Sequence, residues 1–180
     1  MIIVNVWEPR GILDDHFEME RHPFSPGHAS FTIGASLYAP DITVSWWPVH
    51  GGETIVLGDD ASVLPYDTEV AVEGCQANKR YRIYGRDDFA AGIPGARENT
   101  GLDEAAIHDW WAEWDTNGLY RLRDRNCCTA VIAGLLAGGA QAYASLAGYE
   151  QSPPTESLMS PMLVKRLCRA VLDGMAQSRH

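Results

Sequence analysis

Residues 124–136 read Asp-Arg-Asn-Cys-Cys-Thr-Ala-Val-Ile-Ala-Gly-Leu-Leu, a polar loop running into an apolar helix with a cysteine on the boundary. Asn126 is a favoured N-cap residue, because its side-chain oxygen can accept one of the unpaired N–H groups of the first turn. Val131, Leu135 and Leu136 then recur at helical spacing, and Gly138-Gly139 supplies a stop. A thiol in that first turn faces free N–H groups and the positive end of the helix dipole, and both favour the nucleophilic thiolate. The same two residues, Cys127 and Cys128, also suit the core of a helix, where a free cysteine is small and inert. A partner base elsewhere in the chain decides between these readings.

The rest of the composition narrows the field. A chain of 180 residues has room for one domain with a sizeable core, taken here as residues 1–180. A formal net charge of −10 argues against a phosphate-tracking nucleic-acid binder and against adhesion to anionic membranes. Four cysteines, two of them neighbours, are too few for a disulfide scaffold, and the absence of CxxC spacing speaks against zinc. The opening Met1–Trp7 is apolar but has no basic segment before it and no cleavage site after it. No run approaches the ~18 apolar residues of a membrane span. The expectation is a chain made in the cytoplasm without a signal peptide, and no membrane insertion.

Read in order, Ile2 to Trp7 is a β-branched strand ended by Glu8-Pro9-Arg10-Gly11, and residues 12 to 26 form a surface loop. Gly27 to Gly34 alternates with period two, placing His28, Ser30 and Thr32 on one face and Ala29, Phe31 and Ile33 on the other. Ile42 to Pro48 reads as a third strand, hairpinned to the second across Pro40-Asp41. Residues 49 to 78 promise one or two short elements and an exposed acidic loop at Asp59-Asp60. Lys79 to Tyr84 is a further strand, followed by a loop to Gly101. Leu102 to Asp115 is a helix with Trp110, Trp111 and Trp114 as core anchors, stopped by Asn117-Gly118. After a small-residue stretch and the loop at Gln151–Pro154, Ser160-Pro161 opens a last helix. Its apolar stripe is Met162, Leu163, Leu167, Val171 and Met175. The fold class expected is α+β, an antiparallel sheet with the cysteine helix packed against it.

Among six histidines, His22 and His50 sit in loops, His108 on the tryptophan-rich helix and His180 at the terminus. His28 opens a strand directly after Gly27, between small neighbours, and a strand holds a base at fixed range from a helix-borne thiol. The alternative for His28 is a structural strand residue.

A Gly-His-Ala-Ser strand early in the chain and an Asn-Cys helix start late in it resemble the circularly permuted papain-like hydrolases. These include permuted NlpC-type amidases and lecithin-retinol acyltransferase-like enzymes. The likeness rests on residues 27–34 and 124–139, more loosely on 2–139, and is nearest to bacterial secreted effectors of the amidase type. It implies Cys127 as the nucleophile, with Cys128 the competing choice, and His28 as the base that takes the thiol proton and returns it to the leaving group. The backbone N–H of Cys127 or Cys128 would then serve an oxyanion hole.

For the residue that orients the histidine, the next strand offers Ser45, with Asp41, His50 and Glu53 nearby. Ser45 is a weaker orienter than a carboxylate and serves equally well to satisfy a backbone group. Trp46-Trp47-Pro48 would line a substrate cleft. Asp59-Asp60 and Asp87-Asp88 lack calcium-loop grammar and read as solvated.

The resemblance further implies amide-bond hydrolysis through a thioester, with no cofactor and no metal. Peptidoglycan stem peptides are the favoured substrate and proteins the next. The setting would be a toxin delivered by a contact-dependent route such as type VI secretion and countered by an immunity protein. Acyl transfer or lipid ester hydrolysis on the same fold, or a non-catalytic binding domain, are the alternatives.

Overall fold

The structure, a computed structural model, describes residues 1–9, 27–34, 40–50, 58–116, 118–150 and 160–178. Its first sheet contains β1 (Ile2–Trp7), β2 (His28–Ile33), β3 (Ile42–Val44) and β6 (Lys79–Ile83), in the order β3-β2-β1-β6. All three pairings are antiparallel. A second antiparallel sheet has the order β4-β5-β7, built from Trp47–Pro48, Asp59–Ser62 and Leu119–Tyr120. The helices are α1 (Tyr66–Glu73), α2 (Glu104–Thr116), α3 (Cys127–Ala137), α4 (Ala140–Leu146) and α5 (Pro161–Gln177). The fold is therefore α+β.

Period-two alternation gives the first sheet two different faces. Cross-strand register brings Ile2 to Ile33, Val4 to Phe31 and Val6 to Ala29. Those six residues belong to the main hydrophobic core, where α3 packs on β2 and β3 while α5 packs on β1, β2 and β6. The opposite face pairs Ile3 with Thr32, Asn5 with Ser30 and Trp7 with His28. It too is buried. Helix α1 contributes to this covering: the Tyr66 ring lies 6.0 Å from Trp7, and Glu69 bonds to Ser30. Close approach of α3 depends on Gly134, whose missing Cβ would stand 2.8 Å from the Trp110 ring and 2.9 Å from Phe31.

Several expectations hold and others need correction. The strand readings at Ile2–Trp7 and Lys79–Tyr84, the β2–β3 hairpin and the helix at 102–115 all have counterparts, with shifted ends. The strand expected over Ile42–Pro48 is instead two, β3 and β4, in different sheets. Ser45 and Trp46 form the break, and both are buried with their side chains committed to neighbours. The small-residue stretch after Gly139 is helix α4, which packs against α5.

Met162 is half exposed at 52%, so the α5 stripe is carried by Val164, Leu167, Cys168, Val171 and Met175. Asp59 and Asp88 are buried rather than solvated. Asp59 accepts from the His50 backbone N–H at 2.9 Å and meets its ring Nδ1 at 2.8 Å, while Asp88 accepts from Gly85 N–H at 2.7 Å. Each replaces water with a backbone donor, which is what makes a buried carboxylate tolerable. The readings for residues 12–26, Glu53, Thr54–Leu57, Asn117 and Gln151–Pro154, with His22 and His180, lie outside the described residues.

Candidate active site

Helix α3 begins as its sequence requires. Asn126 has extended backbone angles (φ −97°, ψ 180°), and its side-chain oxygen accepts from Thr129 N–H at 2.9 Å. This cap fixes Cys127 as the first helical residue and points the first turn at the start of β2. That strand is itself positioned by Gly27, which adopts φ +80°. A Cβ there would meet the Trp7 carbonyl oxygen at 2.6 Å, so only glycine lets the chain enter β2 this close to β1.

The two elements meet at an open strand edge. Ile33 uses its carbonyl toward Asp41 on the β3 side, so Ala29, two pleats earlier on the same side, also faces away from β1. Strand β3 ends opposite Phe31 and does not reach Ala29. The Ala29 N–H and the His28 side chain instead act on the Cys127 sulfur, and both favour its thiolate. The structure thus brings together the two residues first singled out in the sequence.

The third group is Glu69, on α1. Its Oε1 lies 2.9 Å from His28 Nε2, leaving Nδ1 of the ring for the sulfur. The same carboxylate accepts from Ser30 Oγ at 2.6 Å, Ser45 Oγ at 2.6 Å and Trp47 Nε1 at 3.4 Å. Ser45, the orienter named from the sequence, therefore stands behind the carboxylate, with Glu69 in direct contact with the imidazole. Asp41, the other carboxylate considered from the described residues, lies at the far end of the β2–β3 hairpin. His50 belongs to Asp59, its ring 66% exposed, and His108 is 65% exposed on α2.

Aromatic rings enclose the imidazole. Trp47 lies over it at a centroid distance of 4.0 Å, and Trp7 approaches at 5.3 Å. Trp46 turns the other way, into a cluster with Trp111 and Trp114, and contributes to the core rather than to a cleft. Trp110, Trp111 and Trp114 pack against that core as anchors.

The electrostatics follow from burial and neighbours. For Cys127 the largest influence is the hydrogen bond with Cys128, Sγ to Sγ 3.9 Å. Burial opposes ionisation, and the charge and hydrogen bond of His28 with the Ala29 N–H favour it; the net effect holds the thiol well below 9.0. Burial is also the largest influence on His28 and disfavours its charge. The Cys127 thiolate and then Glu69 outweigh it, and the imidazole is raised to about 10. Glu69 itself is lowered: burial pushes it up, but the hydrogen bonds from His28, Ser30 and Ser45 prevail. Burial pushes the Tyr120 hydroxyl up, aided by the neighbouring charge at Cys127. The state these shifts describe is a thiolate–imidazolium pair backed by a carboxylate.

Cys168, buried in α5, has its thiol pushed up by burial and remains a core residue. Among the described residues there is no group of three or more His, Cys, Asp or Glu side chains able to hold a metal ion. No single helix among them is long and apolar enough to cross a membrane. Compared with known protein families, curated proteins and solved structures, the chain matches none.

Proposed function

We propose that this protein is a cysteine hydrolase that cleaves an amide bond through a thioester on Cys127, with a permuted papain-like arrangement. The observation that carries the reading is the buried His28–Glu69 pair, Nε2 to Oε1 2.9 Å, set against Cys127 at the start of α3, with His28 and Cys127 each favouring the other's charged form. The three residues come from three separate elements, which local packing needs alone do not demand. The order histidine strand, then cysteine helix, supports the permuted form.

In this reaction the Cys127 thiolate attacks the carbonyl carbon, forming a C–S bond as charge moves to the carbonyl oxygen. First-turn N–H groups of α3, at Cys127 or Cys128, receive that oxyanion. The C–N bond then breaks, and the His28 imidazolium gives its Nδ1 proton to the leaving amine. In the second half His28, now neutral, takes a proton from water. The hydroxide attacks the thioester, releasing the acid and restoring the thiolate. Glu69 remains ionised throughout, holding the ring and stabilising its charge, the part a carboxylate plays in a nucleophile–histidine–acid triad.

The favoured substrate is a peptidoglycan stem peptide, with a peptide bond in a protein next, and the favoured setting is an effector toxin with a cognate immunity protein. Sequence resemblance supports this narrower part. The test is to treat purified peptidoglycan and peptide libraries with the chain and with Cys127→Ala, analysing products by mass spectrometry. Cleavage by the parent alone supports the reading. No product, together with slow labelling of Cys127 by a thiol probe at neutral pH, contradicts it.

A further inference from the structure

We propose that Cys128 is a positioning residue for the nucleophile, donating its S–H to the Cys127 sulfur 3.9 Å away and holding the thiolate in place. This rests on the reading of Cys127 as the nucleophile. A thiolate only accepts hydrogen bonds, so the donor in this pair has to be Cys128. Cys128 then acts on the sulfur from within α3, at 3.9 Å, while the His28 ring and the Ala29 N–H act on it from β2.

Cys128 is suited to keep its proton. It is 2% exposed, among apolar neighbours, and a second thiolate beside the first would meet both desolvation and like-charge repulsion. The two sulfurs accordingly divide the work, one ionised and one protonated, and burial with the Cys127 charge pushes Cys128 well above its ordinary value. Other titratable groups facing the pair are His28 from β2 and Tyr120 from β7, with Glu69 of α1 behind His28. A substitution at position 128 leaves the identity of each of these side chains unchanged, although the Tyr120 hydroxyl also responds to Cys128.

The experiment measures the pH midpoint for alkylation of Cys127, read by peptide mass, in the parent, Cys128→Ala and Cys128→Ser. Hydrogen bonds to charged groups, taken at the weak end for a thiol donor, correspond to about one pH unit. Cys128→Ala should move the midpoint upward by about that amount, and Cys128→Ser, whose hydroxyl still donates, should restore most of the shift. An unchanged midpoint in Cys128→Ala, or equal shifts in both variants, overturns the proposal.

A second readout keeps position 128 intact. The infrared S–H stretch of Cys128 should move to higher frequency when Cys127 is alkylated, since its acceptor is then neutralised; no movement overturns the proposal. A parent midpoint near the free-cysteine value would instead remove the thiolate reading itself, so the two failures are distinguishable.

Discussion

Glu69 Oε1 lies 2.9 Å from His28 Nε2, and the two side chains are 1% and 3% exposed. A carboxylate this buried is stable only when its oxygens are paired, and four donors from β2, the β3–β4 connection and β4 serve it. The pairing makes Glu69 a support for the imidazolium, second to the Cys127 thiolate. Glu69→Gln should leave the fold intact and lower turnover about a hundredfold or more, by analogy with neutralising a triad acid. The Cys127 alkylation midpoint should rise in the same variant. Unchanged kcat with a properly folded Glu69→Gln would remove Glu69 from the mechanism.

Ser45 acts one step further back. Ser45→Ala removes one donor from a buried carboxylate, worth about 1.5–3 kcal/mol of stability when the acceptor is charged. The thermal midpoint should fall accordingly, while turnover falls less than in Glu69→Gln, because the carboxylate retains its contact with His28. A larger catalytic loss from Ser45→Ala than from Glu69→Gln would reverse the order of the two residues.

How much of this was legible in the sequence differs by element. Asn126 and the thiols at a helix start are local features, and the cap geometry bears out the helix reading. The face of β2 carrying His28, Ser30 and Thr32 follows from alternation alone. Glu69 was not legible. Tyr66–Glu73 carries Asp67, Glu69 and Glu73 on a short helix without an apolar stripe, and looks like solvated surface. Its role arises from a contact across 41 residues. The available signal was Pro65 ahead of an acidic first turn, which marks a helix start but does not say which face is buried. The break at Ser45-Trp46 was hidden for a related reason, since the β-branched and aromatic run continues through it.

Gly27→Ala tests the entry to β2. The added methyl would strain a φ of +80° and collide with the Trp7 carbonyl oxygen. Backbone strain of this kind costs about 1–3 kcal/mol. The thermal midpoint should fall, and turnover should fall with it as His28 shifts against Cys127. A variant as stable and active as the parent would mean that the β1–β2 approach is not what positions the histidine.

The pH profile should be bell-shaped. Activity rises as Cys127 loses its proton, on a limb well below 9.0, and falls through about pH 10 as His28 loses its own. Stability follows the same signs. The raised value of His28 means that the stabilisation from its charged form is complete below 6.5 and lost as pH climbs through about 10. The lowered value of Glu69 means that its contribution is complete above 4.5 and lost as pH falls through its folded value. Thermal midpoints across this range should form a plateau that drops at both ends. In Cys127→Ala the alkaline drop should move to lower pH, because His28 no longer faces a thiolate. An unmoved alkaline drop would separate the His28 shift from Cys127.

The most direct test of the ion pair is the protonation of His28 at pH 8, read by nitrogen NMR of the imidazole. An ordinary histidine is neutral there, with an unperturbed value near 6.5. In the parent, both ring nitrogens of His28 should carry protons at pH 8, and in Cys127→Ala most of that charge should disappear. A parent His28 that is neutral at pH 8 would contradict the account, because Cys127 would then lack the imidazolium that holds it as a thiolate.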